Sequence, residues 1–395
     1  MTYQINNGLR GFQCLKCATV LPVADYPTGC PNCLAADFPA SVKPVYTSTG
    51  KAPRAGGRGG MARHATLLPY ITFPSLGEGD TPLVEVPGLA MELGLAALHV
   101  KCESQSPTGS HKDRMSCLVV ARAVATGAPA IVAASSGNAG VSVATYAAAA
   151  GLRCVIVTTP AMNPIWRRAI EITGAELVAT ERSLDRWRLV SDHVRAEGWF
   201  PATNFIDPPV GSNCWGVDGY KTVAFELFDE AGADGHDFVL VPTSRGDLLW
   251  GIYEGYRVLL EERRIQRMPR LVAVEPHPRL TRVLAGEDHR GAFPGESALS
   301  SIGGSTVAWQ AVLALRSSGG AAIAVSEPQV RRDQECLAHA GLYLELSAAA
   351  TLTALRGLRE DGTIKPGARA ALIGTANGFR EMPESPKRPI ELANV

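Results

Sequence analysis

The sequence lacks several features that would point to other classes of protein. Lysine plus arginine equals aspartate plus glutamate, with 38 of each, so no net charge of either sign draws the chain to nucleic acid or to an anionic membrane. No segment reaches the unbroken apolar run of roughly 18 residues that a membrane helix requires. The first residues also lack the apolar core of a secretory signal. We therefore expect a cytoplasmic protein that acts on a small molecule.

Cysteine is present, but its pattern does not suggest disulfides. The nine cysteines are odd in number and five of them are scattered, which argues against a disulfide framework. The other four form two close pairs, Cys14-Leu-Lys-Cys17 and Cys30-Pro-Asn-Cys33. A Cys-x-x-Cys pair curls so that both sulfurs face one ion, and we predict that these four hold a structural Zn²⁺. Chance spacing and a redox pair are the alternatives.

Composition and hydrophobic periodicity divide the chain into regions. The cysteine pairs predict a zinc ribbon over residues 1–48, and the glycine-rich stretch 49–62 predicts a linker. Beyond it, strand-like and helix-like segments alternate, as is typical of βαβ units and parallel sheets. The predicted strands are 130–134, 153–158, 176–179, 237–242, 271–275 and 370–373, and the predicted helices are 139–150, 164–173, 184–197, 221–231, 247–262, 327–340 and 348–359. We expect two α/β domains with a ligand in the cleft between them.

The stretch 103–114, ESQSPTGSHKDR, contains a candidate catalytic lysine. A lysine that forms a Schiff base must be held in a fixed place and kept partly neutral, and a Pro-Thr-Gly-Ser turn entering a helix would fix Lys112 in this way. An ordinary lysine at a helix start is the alternative.

A second stretch, Ala134-Ser-Ser-Gly-Asn138, follows an apolar strand and precedes an alanine-rich helix. Small residues at a helix start leave backbone N–H groups free, and such groups bind a carboxylate or phosphate. A tight strand-to-helix turn without a ligand is the alternative.

Together, these two stretches resemble the cofactor-lysine motif and the substrate-carboxylate loop of fold type II pyridoxal-phosphate enzymes, in particular the threonine synthase-like family, which has cysteate synthase as a relative. Four more stretches are similar to segments of that family: LGEGDTPL at 76–83, DGYKTVAFEL at 218–227, AGLYLELSAA at 340–349 and TANGFR at 375–380. The resemblance spans nearly the whole chain. It implies a tryptophan synthase β-like fold, with two parallel-sheet α/β domains after the ribbon: a large cofactor-binding domain over 63–114 and 218–395, and a small one over 115–217.

The resemblance also implies roles for individual residues. Lys112 would carry pyridoxal 5'-phosphate and later transfer protons, Asn138 would bond the ring hydroxyl oxygen, and Thr375 would bond the pyridine nitrogen. The loop Ser135, Ser136 and Gly137 would hold the substrate carboxylate.

An ionised phosphate on the substrate would need basic or hydroxyl partners. The candidates are Ser110, Arg114, Lys221 and Thr222.

Two departures from the family fall on the cofactor pocket. The loop expected to hold the cofactor phosphate is Thr243, Ser244, Arg245 and Gly246, where relatives commonly have more glycine; a hydroxyl and a guanidinium can bind phosphate directly. Asp247 would either cap the next helix or orient Arg245.

The second departure is His111, which stands where the family usually has phenylalanine. It is similar to the histidine of the tryptophan synthase β family that contacts the cofactor phosphate, and a packed histidine without a ligand is the alternative.

The implied activity is elimination or replacement on an amino acid that bears a leaving group. In a threonine synthase this converts O-phospho-L-homoserine and water into L-threonine and phosphate. The alternatives are β-replacement on O-phosphoserine, as in cysteate synthase, and dehydration of serine or threonine. From another class, a pseudoenzyme or metal-dependent binding module remains open. The family suggests a homodimer.

Overall fold

The computed structural model describes residues 2–47, 59–232 and 235–381. The strands are β1 (Leu9–Cys14), β2 (Val20–Leu21), β3 (Val42–Tyr46), β4 (Leu83–Glu85), β5 (Ala97–Lys101), β6 (Ile131–Ala134), β7 (Cys154–Thr158), β8 (Glu176–Ala179), β9 (Phe200–Pro201), β10 (Phe238–Pro242), β11 (Arg270–Glu275), β12 (Ala321–Ala324) and β13 (Arg369–Ile373). The helices are α1 (Pro31–Ala35), α2 (Pro87–Glu92), α3 (Asp113–Ala125), α4 (Asn138–Ala149), α5 (Pro164–Glu171), α6 (Asp185–Glu197), α7 (Cys214–Val217), α8 (Lys221–Ala231), α9 (Asp247–Glu261), α10 (Leu280–Leu284), α11 (Trp309–Ser317), α12 (Glu327–His339) and α13 (Leu346–Glu360).

The N-terminal sheet is a small antiparallel unit. Its strand order is β2-β1-β3, and the apolar side of β1 packs on the rest of the chain, with the Phe12 ring 4.9 Å from the Trp215 ring. Three polar contacts join this sheet to residues far along the chain: Tyr46 Oη to the Asp218 carboxylate (2.6 Å), Lys43 Nζ to the Glu254 carboxylate (3.1 Å) and Trp309 Nε1 to the Leu15 carbonyl (3.3 Å).

Two larger sheets form the α/β body. One has four parallel strands in the order β8-β7-β6-β9, and the other has six in the order β12-β11-β10-β13-β5-β4. The second sheet is mixed, because β4 pairs antiparallel with β5, and this corrects the expectation of two purely parallel sheets. Strands β4 and β5 are joined by residues 86–96, which contain the short helix α2, and an antiparallel pair needs no longer crossover.

Helix α3 lies at the centre of the body. Ten of its 13 residues are buried, including Met115 and the run from Cys117 to Ala121, so the helix has no solvated face over most of its length. Its first residue is Asp113, and a side chain at the start of this helix is therefore held by a largely buried element of the fold.

The predicted linker, 49–62, lies mostly outside the described residues. Its last residues differ from the prediction, because Gly60–Leu67 forms a 3-10 helix in which Met61 is fully buried. An apolar side chain packed in the core holds this end of the stretch. The predicted domain boundaries stay predictions.

The described helices are short compared with the thickness of a bilayer. Helices α9 and α13 have 15 residues each, and none of the helices between residues 2 and 381 that the structure describes has both the length and the apolar character needed to cross a membrane.

A buried ion-pair network surrounds the start of α3. The guanidinium of Arg114 donates two hydrogen bonds to Glu103 (both 2.7 Å) and two to Glu226 (2.6 and 2.7 Å). It also donates to the hydroxyls of Thr222 (2.9 Å) and Thr81 (3.3 Å). Arg114, Glu103 and Glu226 are fully buried. Each charge is therefore stabilised by its buried partners in place of the water that it loses on folding.

We predict that Arg114→Met lowers the free energy of unfolding by about 3–5 kcal/mol, because it leaves the buried Glu103 without its cation and Glu226 with Lys101 alone. Arg167→Met is the matched control, since Arg167 forms an exposed pair with Glu171 on α5 and solvent screens such pairs. Urea denaturation of both variants tests this. Equal shifts in the two midpoints would contradict a special role for the buried network.

Candidate active site

A cavity of about 370 Å³ opens where the carboxyl ends of strands from both α/β sheets meet. Residues that follow β6, β10 and β13 line it, as expected for ligand sites in α/β proteins. The predicted site residues on its wall are His111, Lys112, Ser135, Ser136, Gly137, Asn138, Thr243, Ser244, Arg245, Gly246 and Thr375. The structure thus brings together residues that are up to 264 positions apart in the chain.

The turn before Lys112 is fixed by the side chain that follows it. The Asp113 carboxylate accepts hydrogen bonds from the backbone N–H of Thr108 (2.7 Å), from the Thr108 hydroxyl (2.5 Å) and from the Ser142 hydroxyl (2.6 Å). Gly109 has a φ of +75°, and a Cβ there would meet the Asn377 side chain at 2.5 Å, so the turn requires glycine at this point.

Lys112 itself ends in a free amine. Among the described residues, Nζ has no hydrogen-bond or ion-pair partner, and it lies 5.6 Å from the centre of the Tyr220 ring. Burial lowers the pKa of Lys112, an effect that Arg245 adds to and that Asp247 and Glu345 oppose. A lysine with a lowered pKa contains more of the neutral amine, which is the nucleophilic form.

The loop after β6 forms the N-terminus of α4. The Ser135 hydroxyl oxygen accepts from the backbone N–H groups of Gly137 (3.3 Å) and Gly140 (2.9 Å), which fixes the turn. A Cβ on Gly137 would meet the Trp166 ring at 3.3 Å. Small side chains here keep the helix N-terminus open to the cavity, where its remaining N–H groups can receive an anion.

Asn138 and Glu345 meet across the cavity wall. Asn138 Nδ2 donates to the Glu345 carboxylate (3.0 Å), and the Ser301 hydroxyl donates to the same oxygen (3.1 Å). Burial raises the pKa of Glu345 to about 7, against the opposing effect of the Asn138 hydrogen bond. No role is predicted for Glu345 from its motif, although it lies within the family-like stretch at 340–349.

The loop between β10 and α9 carries the predicted phosphate contacts. Gly246 has a φ of +100°, and a Cβ there would approach the Ala311 side chain to 2.3 Å, so only glycine fits. The Thr243 hydroxyl donates to the Val241 carbonyl (2.7 Å), and the Ser244 hydroxyl donates to the Gly303 carbonyl (3.0 Å). Both hydroxyl oxygens keep their lone pairs, while their protons hold the loop in shape.

Arg245 and Asp247 lie two residues apart but differ in their hydrogen bonding. The Nε of Arg245 is buried with no hydrogen-bond partner in the described structure. The Asp247 carboxylate accepts from the Ser212 hydroxyl (2.7 Å) and from Gln310 Nε2 (2.9 Å), and it makes no capping hydrogen bond to α9. Of the two roles expected for Asp247, capping is therefore not found.

His111 is hydrogen-bonded to the segment that follows β13. Its backbone N–H donates to the Thr375 carbonyl (2.9 Å), and its Nδ1 lies 3.3 Å from the same oxygen. A carbonyl can only accept, so Nδ1 carries the proton. Burial, with Lys112 beside it, holds the pKa of His111 well below its usual range, and the ring is neutral, with Nε2 as an acceptor.

Two predicted substrate residues do not line the cavity. Ser110 is fully buried and forms a backbone bridge with Ala376. Lys221 is also buried, where its Nζ donates to the Asp218 carboxylate (2.6 Å) and lies 4.5 Å from the Tyr46 ring. The other two candidates, Arg114 and Thr222, belong to the buried network described above.

Several residues that line the cavity could not be predicted from the sequence. Arg186 and Trp187 come from α6, Trp166 comes from α5, and residues 300–306 form a further wall. None lies in a recognised motif, and only the folded chain brings them to the cavity.

The four paired cysteines form a cluster at the tip of the small antiparallel sheet. Their sulfur atoms all lie within 4.8 Å of one another, with Cys14 to Cys33 at 3.5 Å and Cys17 to Cys30 at 3.8 Å. Four sulfurs bound to one Zn²⁺ at about 2.3 Å in a tetrahedron are about 3.8 Å apart, so the cluster has the size of such a site.

The sequence is similar to those of known pyridoxal-phosphate enzymes. A family model described as pyridoxal-phosphate dependent enzyme matches residues 74–376. The threonine synthase of Methanocaldococcus jannaschii is 29% identical over 333 residues, which cover 82% of this chain and 81% of that protein. The threonine synthase of Mycobacterium tuberculosis strain H37Rv is 28% identical over 307 residues, which cover 77% and 82%.

Solved structures share the architecture. An O-ureido-L-serine synthase is 25% identical, with a TM-score of 0.63 that covers 76% of this chain and 90% of that one. A cysteine synthase from Entamoeba histolytica is 20% identical, with a TM-score of 0.63 over 85% of this chain and 92% of that one, and this likeness concerns the fold alone.

We predict that Glu345→Gln changes the pH dependence of stability. A carboxyl whose folded pKa is raised from 4.5 to about 7 costs the folded state nothing at low pH and progressively more as the pH rises through this window. In ligand-free protein, the stability of the variant relative to the parent should rise by roughly 2–3 kcal/mol between pH 5 and pH 8. Urea denaturation at both pH values measures it, because all other titrating groups are common to the two proteins. A constant difference would contradict the raised pKa.

Proposed function

The chain belongs to the family of pyridoxal-phosphate dependent enzymes, and on that premise we propose that Lys112 carries the cofactor for an elimination or replacement of the threonine synthase type. The single observation that supports this most is the free, half-buried amine of Lys112 on the wall of a cavity shared by both sheets. When bound, the cofactor supplies an electron sink for the substrate α-carbon.

The residues of the cavity fit the cofactor. Its phosphate needs N–H donors and positive charge, and the start of α9 together with the unpartnered Nε of Arg245 offers both. Gly246 allows the backbone to approach, and the Thr243 and Ser244 oxygens are further candidates. Asn138 would bond the ring hydroxyl oxygen, and Thr375 would bond the ring nitrogen.

His111 takes a more limited part in this proposal than its sequence position suggests. Since its Nδ1–H is committed to the Thr375 carbonyl, a neutral His111 cannot donate from Nε2 to a phosphate. We infer that it fixes the Thr375 peptide relative to the turn that holds Lys112.

Residues of the chain would orient the substrate and transfer protons. The N-terminus of α4, with Ser135, Ser136 and Gly137, would orient the substrate through its α-carboxylate. Lys112 Nζ, whose lowered pKa favours the neutral amine, would accept the α-proton and return a proton later in the cycle. Trp166 and Trp187 line the cavity and would limit the access of water to the bound substrate.

The relatives suggest two substrates. The threonine synthases favour O-phospho-L-homoserine and water, giving L-threonine and phosphate. The likeness to O-ureido-L-serine synthase supports a second candidate, β-replacement on an O-substituted serine such as O-phosphoserine. A panel of O-phospho-L-homoserine, O-phospho-L-serine, L-serine and L-threonine, with phosphate, ammonia and keto-acid release measured separately, distinguishes these from simple dehydration.

The cysteine cluster supports a structural Zn²⁺ in an N-terminal ribbon, bound by Cys14, Cys17, Cys30 and Cys33. All four ligand positions would be filled by protein, which leaves none for catalysis. A cytoplasmic homodimer without a nucleic-acid partner stays a prediction, and light scattering tests the dimer.

We predict that Lys112→Ala abolishes the visible absorption of the bound cofactor and lowers turnover by at least about 10²–10⁴-fold, because the attached amine and the proton acceptor are both lost. Lys365→Ala is the control, since Lys365 is exposed and outside the cavity. An unchanged absorption band in Lys112→Ala would assign the cofactor to another lysine.

Cys30→Ser should release one zinc ion per chain and lower the thermal midpoint, while the absorption of the cofactor at Lys112 persists. Cys336→Ser, a cysteine outside the cluster, should change neither. Metal analysis by mass spectrometry measures the first effect. Absence of zinc from the unmodified protein would contradict the metal assignment.

A further inference from the structure

Asp247 places a negative charge beside residues 243–246, the proposed phosphate loop. It is the first residue of α9, it follows Gly246 directly, and it lines the cavity. The N–H groups at the start of α9 favour an anion, but a carboxylate at the same place repels one. Binding of a phosphate therefore requires that the Asp247 side chain is held away from it.

Gln310 is one of the two side chains that hold Asp247 in the described structure. It lies in the first turn of α11 (309–311) and is 2% exposed, and its Nε2 donates to one oxygen of the Asp247 carboxylate (2.9 Å). The Ser212 hydroxyl donates to the other oxygen (2.7 Å). The carbonyl oxygen of the Gln310 amide is buried without a hydrogen-bond partner among the described residues. The bond to Asp247 is therefore what orients this amide.

The residues on either side of Gln310 have different neighbours. Ala311 packs against Gly246, the last residue of the phosphate loop. Trp309 contacts the N-terminal unit instead, where its Nε1 donates to the Leu15 carbonyl (3.3 Å). The first turn of α11 thus touches the phosphate loop and Asp247 with two side chains and the N-terminal unit with a third.

Leu15 lies inside the cysteine cluster. Leu15 and Lys16 separate Cys14 from Cys17, and the backbone N–H groups of Lys16 and Cys17 donate to the Cys14 sulfur (3.3 and 3.4 Å). Lys16 Nζ also lies 5.1 Å from the centre of the Trp309 ring. A metal bound by Cys14 and Cys17 would fix both ends of this turn. The position of the Leu15 carbonyl, and of the indole that donates to it, would then depend on the metal.

We propose that Trp309 and Gln310 are positioning residues that couple the four-cysteine cluster to the phosphate loop, so that a filled cluster strengthens binding of the cofactor phosphate. The inference rests on the proposed function, because it assumes the cofactor at Lys112 and zinc at the cysteines. Coupling between two binding equilibria is reciprocal, so bound cofactor strengthens zinc binding by the same factor.

The first test titrates full-length Gln310→Leu, freed of cofactor, with pyridoxal 5'-phosphate and separately with pyridoxal. The substitution releases the Asp247 carboxylate toward the phosphate, so the Kd of pyridoxal 5'-phosphate should rise about 10- to 100-fold. Pyridoxal has a hydroxyl in place of the phosphate, and its Kd should change by less than about threefold. An equal loss for both ligands would mean that Gln310 supports the fold and not the phosphate loop.

A double variant shows whether the charge of Asp247 is responsible. Asp247→Asn, added to Gln310→Leu, should recover most of the affinity for pyridoxal 5'-phosphate, because an amide does not repel the phosphate. If the double variant binds pyridoxal 5'-phosphate no better than Gln310→Leu, the carboxylate is not what Gln310 restrains, and the proposal fails.

The second test concerns the metal end of the path. Removal of zinc with a chelator should raise the Kd of pyridoxal 5'-phosphate about 10-fold and leave that of pyridoxal unchanged, while the cofactor band at saturation persists. Trp309→Phe keeps a ring but loses the bond to Leu15. It should weaken pyridoxal 5'-phosphate binding in zinc-loaded protein, and it should have no further effect in zinc-free protein, where the link is already lost.

Two control variants lie outside the path. They are Gln329→Leu, at an exposed position on α12, and Trp199→Phe, at a buried position outside the cavity, and both should leave the Kd values unchanged. If zinc-free protein does not stay folded, competition with a chromophoric chelator decides, because saturating cofactor should raise the zinc affinity of the unmodified protein by the same factor of about 10.

Equal zinc affinity with and without cofactor would overturn the coupling, and so would equal cofactor affinity with and without zinc. Failure of the proposed function is distinct from both results: the unmodified protein would then bind no pyridoxal 5'-phosphate at Lys112, or no zinc.

Discussion

The buried charge of Arg114 is the constraint on which the rest of the site depends. It lies two residues after Lys112, and its partners Glu103 and Glu226 come from either side of the cavity lysine in the chain. Lys101 adds a second cation on Glu226 at 2.8 Å. Because no member can lose its partners without leaving a charge unsolvated, the network fixes the positions of β5, α3 and α8 together. Lys112 can remain unpaired and partly neutral because its neighbours hold the backbone beneath it.

The motif residues differ in how well their roles could be assigned from the sequence. Lys112, the 135–138 loop, the 243–246 loop and Thr375 were all predicted and all line the cavity, since each follows a strand or begins a helix at the ligand-binding edge. Lys221 was predicted as a ligand from the same kind of resemblance and instead pairs with Asp218. A motif identifies a segment, but it does not say whether a given side chain points to the ligand or to the scaffold. That direction depends on what packs against the segment.

The fold was predictable where periodicity was strong. The family and the α/β type of fold expected from the motifs are confirmed, although one of the two large sheets is mixed and not parallel, and the predicted segments at 176–179 and 221–231 coincide with β8 and α8. Strand β12 was missed because Ala-Ala-Ile-Ala carries no alternating pattern, and the antiparallel edge β4 has only three residues. Glu345 and Gln310 were missed for a different reason. Their roles depend on partners 207 and 63 residues away in sequence, and composition contains no information about such distances.

The small N-terminal sheet has a consequence for the order in which the chain is assembled. Its strands and all four clustered cysteines lie within residues 9–46, so they leave the ribosome before the partners of Tyr46, Lys43 and Leu15, which follow 172, 211 and 294 residues later. Docking must wait for most of the chain, because long loops close only when their far ends exist. The sheet can close early on its own short-range pairing, and its exposed side then stays uncovered during synthesis. A metal bound by the four cysteines, as proposed above, would hold this sheet together during that interval.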